Sequence, residues 1–152
     1  MGNKQNPTKS LNILVVLFPV MIQQRITIIK IRRPAEQSLN TELQWLGTSL
    51  GLFNLRDKDK SCFRIFIELL KATKHNKAIT SDDLAEKLGL SRGTVIHHIN
   101  KLMETGLVVH EERSYMLRVS NLSALIDELE DDITRTCTSL RKIAQEIDTK
   151  MN

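Results

Sequence analysis

The spacing of apolar positions changes period several times along the chain. Residues 25–31 (RITIIKI) place Ile26, Ile28 and Lys30 on one side and Thr27, Ile29 and Ile31 on the other. This β-branched run favours an extended segment. Arg32-Arg33-Pro34 ends it, because the residue before a proline avoids the helical region. After a polar connector, Leu43, Leu46 and Leu50 recur at helical spacing with Trp45 beside them. Asn40 or Thr41 is placed to cap this helix, which is predicted to run to about Phe53 and which Gly47 and Gly51 weaken. The charged turn 54–60 offers Asp57 or Asp59 as the next cap. A helix over 61–74 is apolar at Phe63, Phe66, Ile67 and Leu70, widened by Cys62, Ile65 and Leu69, which marks it as buried on several sides.

Shorter elements follow. Ala78-Ile79 reads as a brief strand. Thr80 or Ser81 caps a helix over 82–88, whose first turn holds Asp82 and Asp83 where the helix dipole favours negative charge. Gly89 stops it by accepting the left-handed conformation. Ser91 caps a third helix over 92–105 that turns Val95, Ile99 and Leu102 inward, and Gly106 ends it. Residues 107–110 and 115–119 are β-rich runs joined by 111–114, which reads as a hairpin. From Ser120 or Asn121 a last helix reaches nearly to residue 152. Ile126, Ile133, Leu140 and Ile147 recur every seven residues, and Leu122, Leu129 and Ile143 fill the complementary slot with Thr136 as its polar exception. This is the pattern of a coiled-coil seam between two chains.

Composition narrows the class. The chain has 152 residues, 41% hydrophobic and 26% charged, which is ordinary for a globular protein. Cys62 and Cys137 make no disulfide framework and no C-x-x-C pair, so a reducing, cytoplasmic setting is expected and no membrane association. The net charge of +4 is uneven: +4 over residues 1–59, +3 over 60–119 with all four histidines, and −3 over 120–152. The basic part permits nucleic-acid binding without showing it. Residues 11–22 (LNILVVLFPVMI) are too short to span a bilayer, which needs about 20 apolar residues. Three readings are open for them: a start at Met21 or a disordered extension, a strand or partner-bound segment, and a secretory signal behind Lys4 and Lys9 that lacks a cleavage site.

The informative segment is 79–119, in the order strand, helix, three-residue turn with glycine, helix, hairpin. That is a helix-turn-helix followed by a wing. On the run LGLSRGTVIHHINKLMETGLV at 88–108, the sequence resembles the winged-helix transcription regulators of prokaryotes, archaeal ones in particular, in the broad group of the ArsR and MarR families. The resemblance covers 61–119. It implies a mainly α fold with a small β-hairpin wing and a homodimer that binds double-stranded DNA. The residues support this independently. A major groove admits one helix, read from its N-terminal half. Arg92 suits a bidentate contact to guanine, Gly93 leaves room for close approach, and Thr94 reaches a phosphate or a thymine methyl. His97 lies one turn on and is the better DNA candidate, while His98 turns inward. Asn100 and Lys101 suit phosphates, and Ser91 adds a hydroxyl at a helix N-terminus. Arg113 suits a backbone contact from the wing, but Glu111 and Glu112 beside it do not. Ile96, apolar at an exposed position, is open between contact with a thymine methyl, contact with the partner chain and ordinary packing. Arg118 reads as a sheet residue, and Glu128, Glu130, Asp131 and Asp132 read as a solvated acidic surface.

The domains expected are an N-terminal extension over 1–38, a helix and turn over 39–59, the winged helix over 60–119, and a long dimerisation helix over 120–152. The dimer seam is Leu122, Ile126, Leu129, Ile133, Leu140, Ile143 and Ile147, with Cys137 beside it. No metal ligand set is expected, since His97 and His98 are adjacent on a helix and cannot face one ion together. Cofactor and catalytic motifs are absent, so no cofactor is expected and the chain reads as a non-enzyme. The sequence names no small-molecule effector. The alternative is a winged helix that binds a protein, and a further one is a regulator tethered to a membrane through 11–22.

Overall fold

The computed structural model describes residues 23–53 and 58–152, so the apolar run 11–22 and the turn residue Asp57 lie outside the described residues. Helix α1 spans Leu39–Ser49. Its cap is Ser38, not Asn40 or Thr41: Ser38 has extended backbone angles, and its Oγ accepts from the Thr41 N–H at 3.2 Å. The helix ends at Ser49, short of Phe53, because Gly51 takes a left-handed φ of 69°. Gly47 is a close-approach site, where an added Cβ would come within 2.7 Å of the Phe63 ring. The residue that weakens α1 locally is the one that lets it pack.

Helix α2, Ser61–Lys74, is the centre of the core, with Cys62, Ile65, Phe66 and Leu69 at most 1% exposed. It starts without a side-chain cap. Lys60 occupies the cap position in a left-handed conformation, and Asp59 instead accepts from the Ser61 hydroxyl at 2.7 Å. Strand β1 (Ile79–Thr80), helix α3 (Ser81–Leu88), helix α4 (Arg92–Glu104), strands β2 (Val108–Glu111) and β3 (Ser114–Leu117) and helix α5 (Leu122–Met151) complete the order. The three strands form one antiparallel sheet in the order β1-β3-β2, with Ile79 opposite Tyr115 and His110 opposite Tyr115 on its other side. Thr73 of α2 accepts the Leu117 N–H at 3.1 Å through its hydroxyl, which fixes the root of the wing to the core.

A buried carboxylate holds α3 to α2. Glu68 is 7% exposed and sits between Lys71 at 2.8 Å and Lys87 at 2.5 Å. Burial pushes its pKa up, but the hydrogen bonds from the two ammonium groups prevail and leave it below the usual value.

The extended segment from Gln23 onward joins no strand. It is held by two backbone bonds, Arg25 N–H to Glu104 at 2.7 Å and Ile29 N–H to Ser49 at 2.8 Å. Asn121 caps α5. The first half of that helix departs from the seam expectation. Leu129 is buried in the chain's own core together with Leu125, which the heptad pattern left out. The acidic cluster is not all surface either. Asp132 is 7% exposed and accepts from Arg118 Nη1 at 2.5 Å and Gln24 Nε2 at 2.9 Å, with Arg135 also paired to it. Arg118 therefore serves α5 as well as the sheet, and its second arm reaches Glu128 at 2.8 Å.

The hydrogen bonds from Arg118 and Gln24 hold the Asp132 carboxyl well below the usual carboxylate range. A lowered folded-state pKa contributes stability at pH above the unfolded value of about 4, and that stability is lost as the pH falls towards the folded value. Asp132→Asn is expected to cost about 1–3 kcal/mol at pH 7 in urea unfolding. The gap from wild type should narrow as the pH falls below about 4.

Candidate nucleic-acid interface

The outer face of α4 is built by what its inner face buries. Val95, Ile99 and Leu102 are fully buried against α2 and α3, so the opposite residues must face out. At about 100° per residue, Gly93, His97 and Asn100 form the outermost line, with Arg92 and Ile96 on one flank and Thr94, His98 and Lys101 on the other. Burial agrees: Arg92, Gly93, His97 and Asn100 are exposed, whereas Thr94, Ile96, His98 and Lys101 are half-buried. His97 is thus the outward histidine and His98 the inward one. Their rings meet edge to face, 5.2 Å apart.

The N-terminus of α4 is tightly capped. Ser91 Oγ accepts the Thr94 N–H at 3.1 Å and lies 2.8 Å from the Thr94 hydroxyl. Both hydroxyls are therefore already engaged with each other, which leaves the remaining first-turn N–H groups to face outward. Gly93 is not small because the fold demands it. An added Cβ would meet only Ser91 Oγ, at 3.9 Å, so the missing side chain leaves open space in front of the helix.

The wing brings a second cation to this face. The β2–β3 turn holds Arg113 at its tip, next to Glu112 in a left-handed conformation with φ 53°. Between wing and α4 lies a groove of about 480 Å³ lined by Asp82, Arg92, Ile96, His110, Arg113 and Tyr115 among others. Ile96, whose role the sequence left open, is an apolar part of this groove's lining. His110 and Tyr115 pack their rings 4.8 Å apart on its wall, and sequence spacing gave no sign of them as site residues. The structure thus brings Arg92 and Arg113 to one groove. Asn100 and Lys101 lie further along α4 and do not line it.

Arg92 has a partner that the sequence did not reveal. Asp82, at the start of α3, approaches Arg92 Nε at 3.3 Å. Both side chains are about 70% exposed (70% and 72%), and exposed pairs of this kind are worth about 0–1 kcal/mol. Such a pair orients the guanidinium weakly and yields to a stronger acceptor. Among the described residues no group of three or more His, Cys, Asp or Glu could hold a metal ion. Cys62 is buried and Cys137 exposed. No helix among the described residues is long and apolar enough to cross a membrane.

Residues 64–109 match the family model for winged helix-turn-helix DNA-binding. The match runs from the first turn of α2 into β2 and so includes the helix-turn-helix and the first wing strand. No curated protein and no solved structure matches the chain significantly. The mainly α fold with its small antiparallel sheet is that of a winged helix-turn-helix, and this part of the chain is similar to the DNA-binding domains of that kind.

Asp82→Asn removes the carboxylate that pairs with Arg92 on this groove. It is expected to raise affinity for random-sequence duplex several-fold at low salt in an anisotropy titration, with the difference shrinking as salt screens it.

Proposed function

We propose that the protein is a transcriptional regulator of the cytoplasm that binds double-stranded DNA sequence-specifically as a homodimer, with α4 of each copy in a major groove. The observation that carries this reading is the two-sidedness of α4. Its inner residues are fully buried, and its outer line pairs an open position at Gly93 with Arg92, His97 and Asn100. Arg92 would read a guanine edge; Thr94, Asn100 and Lys101 would add contacts along the helix, and Ser91 a contact at its N-terminus. Arg113 would reach the backbone from the wing. Occupying promoter DNA would then repress or activate transcription.

The homodimer is supported by the second half of α5. From residue 134 on, every residue of that helix is exposed, including Leu140 at 63%, Ile143 at 53% and Ile147 at 49%. Helices draw most of their stability from packing an apolar face, and among the described residues nothing packs on this one. Ile126 and Ile133 extend the stripe towards the domain, whereas Leu122 and Leu129 contribute from the side that packs on the chain's own core.

One observation favours a second reading, a winged helix that binds a protein. The wing tip and its surroundings expose Glu111, Glu112 and Asp82, which nearly balance Arg92 and Arg113. The two readings separate in an anisotropy titration against the protein's own upstream DNA and a scrambled duplex at two salt concentrations. The regulator reading expects a preference for the native duplex that survives the higher salt. Arg92→Ala should then weaken native-duplex binding about tenfold or more, the size of one bidentate base contact, and weaken scrambled-duplex binding less. Absence of binding to either duplex leaves the protein-binding reading. Separately, Ile143→Asp places a charge in the exposed stripe and is expected to shift the protein to a monomer in analytical ultracentrifugation while circular dichroism stays near wild type.

A further inference from the structure

We infer that the two copies pair through α5 in an antiparallel sense, each helix end lying against the middle of the other helix. The inference rests on the homodimer reading above and adds the geometry of its interface.

Four observations point to it. First, the seam is open over only part of α5. Leu125 and Leu129 are buried by the chain's own domain, and Ile126 and Ile133 are only partly open, so the stripe is most exposed at Leu140, Ile143, Ile147 and Met151. Setting Leu140 against the partner's Ile143 centres an antiparallel pair near residue 142, well past the domain. Second, the stripe opens into a groove at its inner end. Gln24, Ile26 and Ile28 of the extended segment and Ile133, Thr136 and Cys137 of α5 enclose about 360 Å³. Ile28 remains 59% exposed on its rim. A groove needs a knob. In a parallel pair, two such grooves would face each other at the same level. In an antiparallel pair, the partner's Ile147 arrives there.

Third, the helix is electrically lopsided. Residues 122–134 hold five acids (Asp127, Glu128, Glu130, Asp131 and Asp132) and no base. Residues 135–151 hold Arg135, Arg141, Lys142 and Lys150 against Glu146 and Asp148. Arg118 engages Glu128 and Asp132, and Asp127, Glu130 and Asp131 have no salt bridge among the described residues. Parallel pairing sets these acids against their copies, and like charges at such range repel. Antiparallel pairing separates them and brings the partner's Lys150 near Glu130. The helix dipoles also oppose favourably. Fourth, the domains dock near residue 127 of α5. At about 1.5 Å per residue, antiparallel pairing about residue 142 sets the two docking points about 44 Å apart. Parallel pairing sets them about 10 Å apart. Reading successive major grooves calls for recognition helices about 34 Å apart, and antiparallel pairing sets the two domains apart by a span of that order.

In this arrangement Leu140 lies opposite the partner's Ile143, and Thr136 opposite the partner's Ile147. Cys137 lies beside the partner's Ala144, while the two Cys137 side chains are about 14 Å apart along the axis. The test uses the full chain, wild type and Ala144→Cys, treated at dilute concentration with a short bis-maleimide. Cys62 is buried and Cys137 exposed, so the engineered and natural surface thiols dominate the reaction. Expected are a 137–144 cross-link between chains in the variant, at least tenfold above like-to-like products by peptide mapping, and little cross-linked dimer in wild type. A 137–137 product in wild type, or 144–144 in place of 137–144, overturns the antiparallel arrangement while leaving the homodimer intact. A dimer by ultracentrifugation that gives no 137–144 product also overturns it. A monomer in that measurement removes the homodimer reading, and the orientation with it.

Discussion

Three side chains on the inner face of α4 set the position of everything on its outer face. Val95, Ile99 and Leu102 are sealed between α2 and α3, and a helix held by such a stripe cannot rotate without exposing it. The direction of Arg92, the open space before Gly93 and the outward turn of His97 all follow from that burial. The rest of the domain is arranged to keep α4 in register. Glu68 clamps α3 through Lys87, Thr73 anchors the root of the wing, and Ser91 closes the first turn.

A second knot lies at the opposite end of α4. Asp132 gathers Gln24 and Arg118, and Gln24 also donates to the carbonyl of Thr105 at 3.2 Å, just past the end of α4. Gly106 is there in a left-handed conformation with φ 77°, and an added Cβ would strike Gln24. One carboxylate of α5 thus connects the end of α4, the strand after the wing turn and the extended segment. The helix that carries the exposed stripe is tied by short polar contacts to the ends of both α4 and the wing.

Local chemistry was the most legible part of the sequence. Thr80, Ser91 and Asn121 cap where a small polar residue precedes an apolar period, and Gly89 and Gly106 stop helices where expected, because these effects act within a turn. Ser38 was missed for the same reason in reverse: three small polar residues compete within four positions, and only the backbone angle selects one. The heptad pattern in α5 was real but ambiguous. A helix buries leucine and isoleucine in the same rhythm against its own domain and against a second chain, so Leu129 could not be separated from Leu140. Asp132 and the Asp82–Arg92 pair were illegible because their partners come from elements joined only by folding. Gln24 and Asp132 stand 108 positions apart.

The tip of the wing has a consequence for how such a protein can change over generations. Glu112 is a non-glycine residue in a left-handed turn, a conformation that costs it of order 1 kcal/mol, and it holds a negative charge on the groove shared by Arg92 and Arg113. Replacement by glycine relieves the backbone and removes the charge in one step. Stability and nucleic-acid attraction, which ordinarily trade against each other at binding sites, improve together here. A change at this position towards a more positive wing therefore meets no folding barrier.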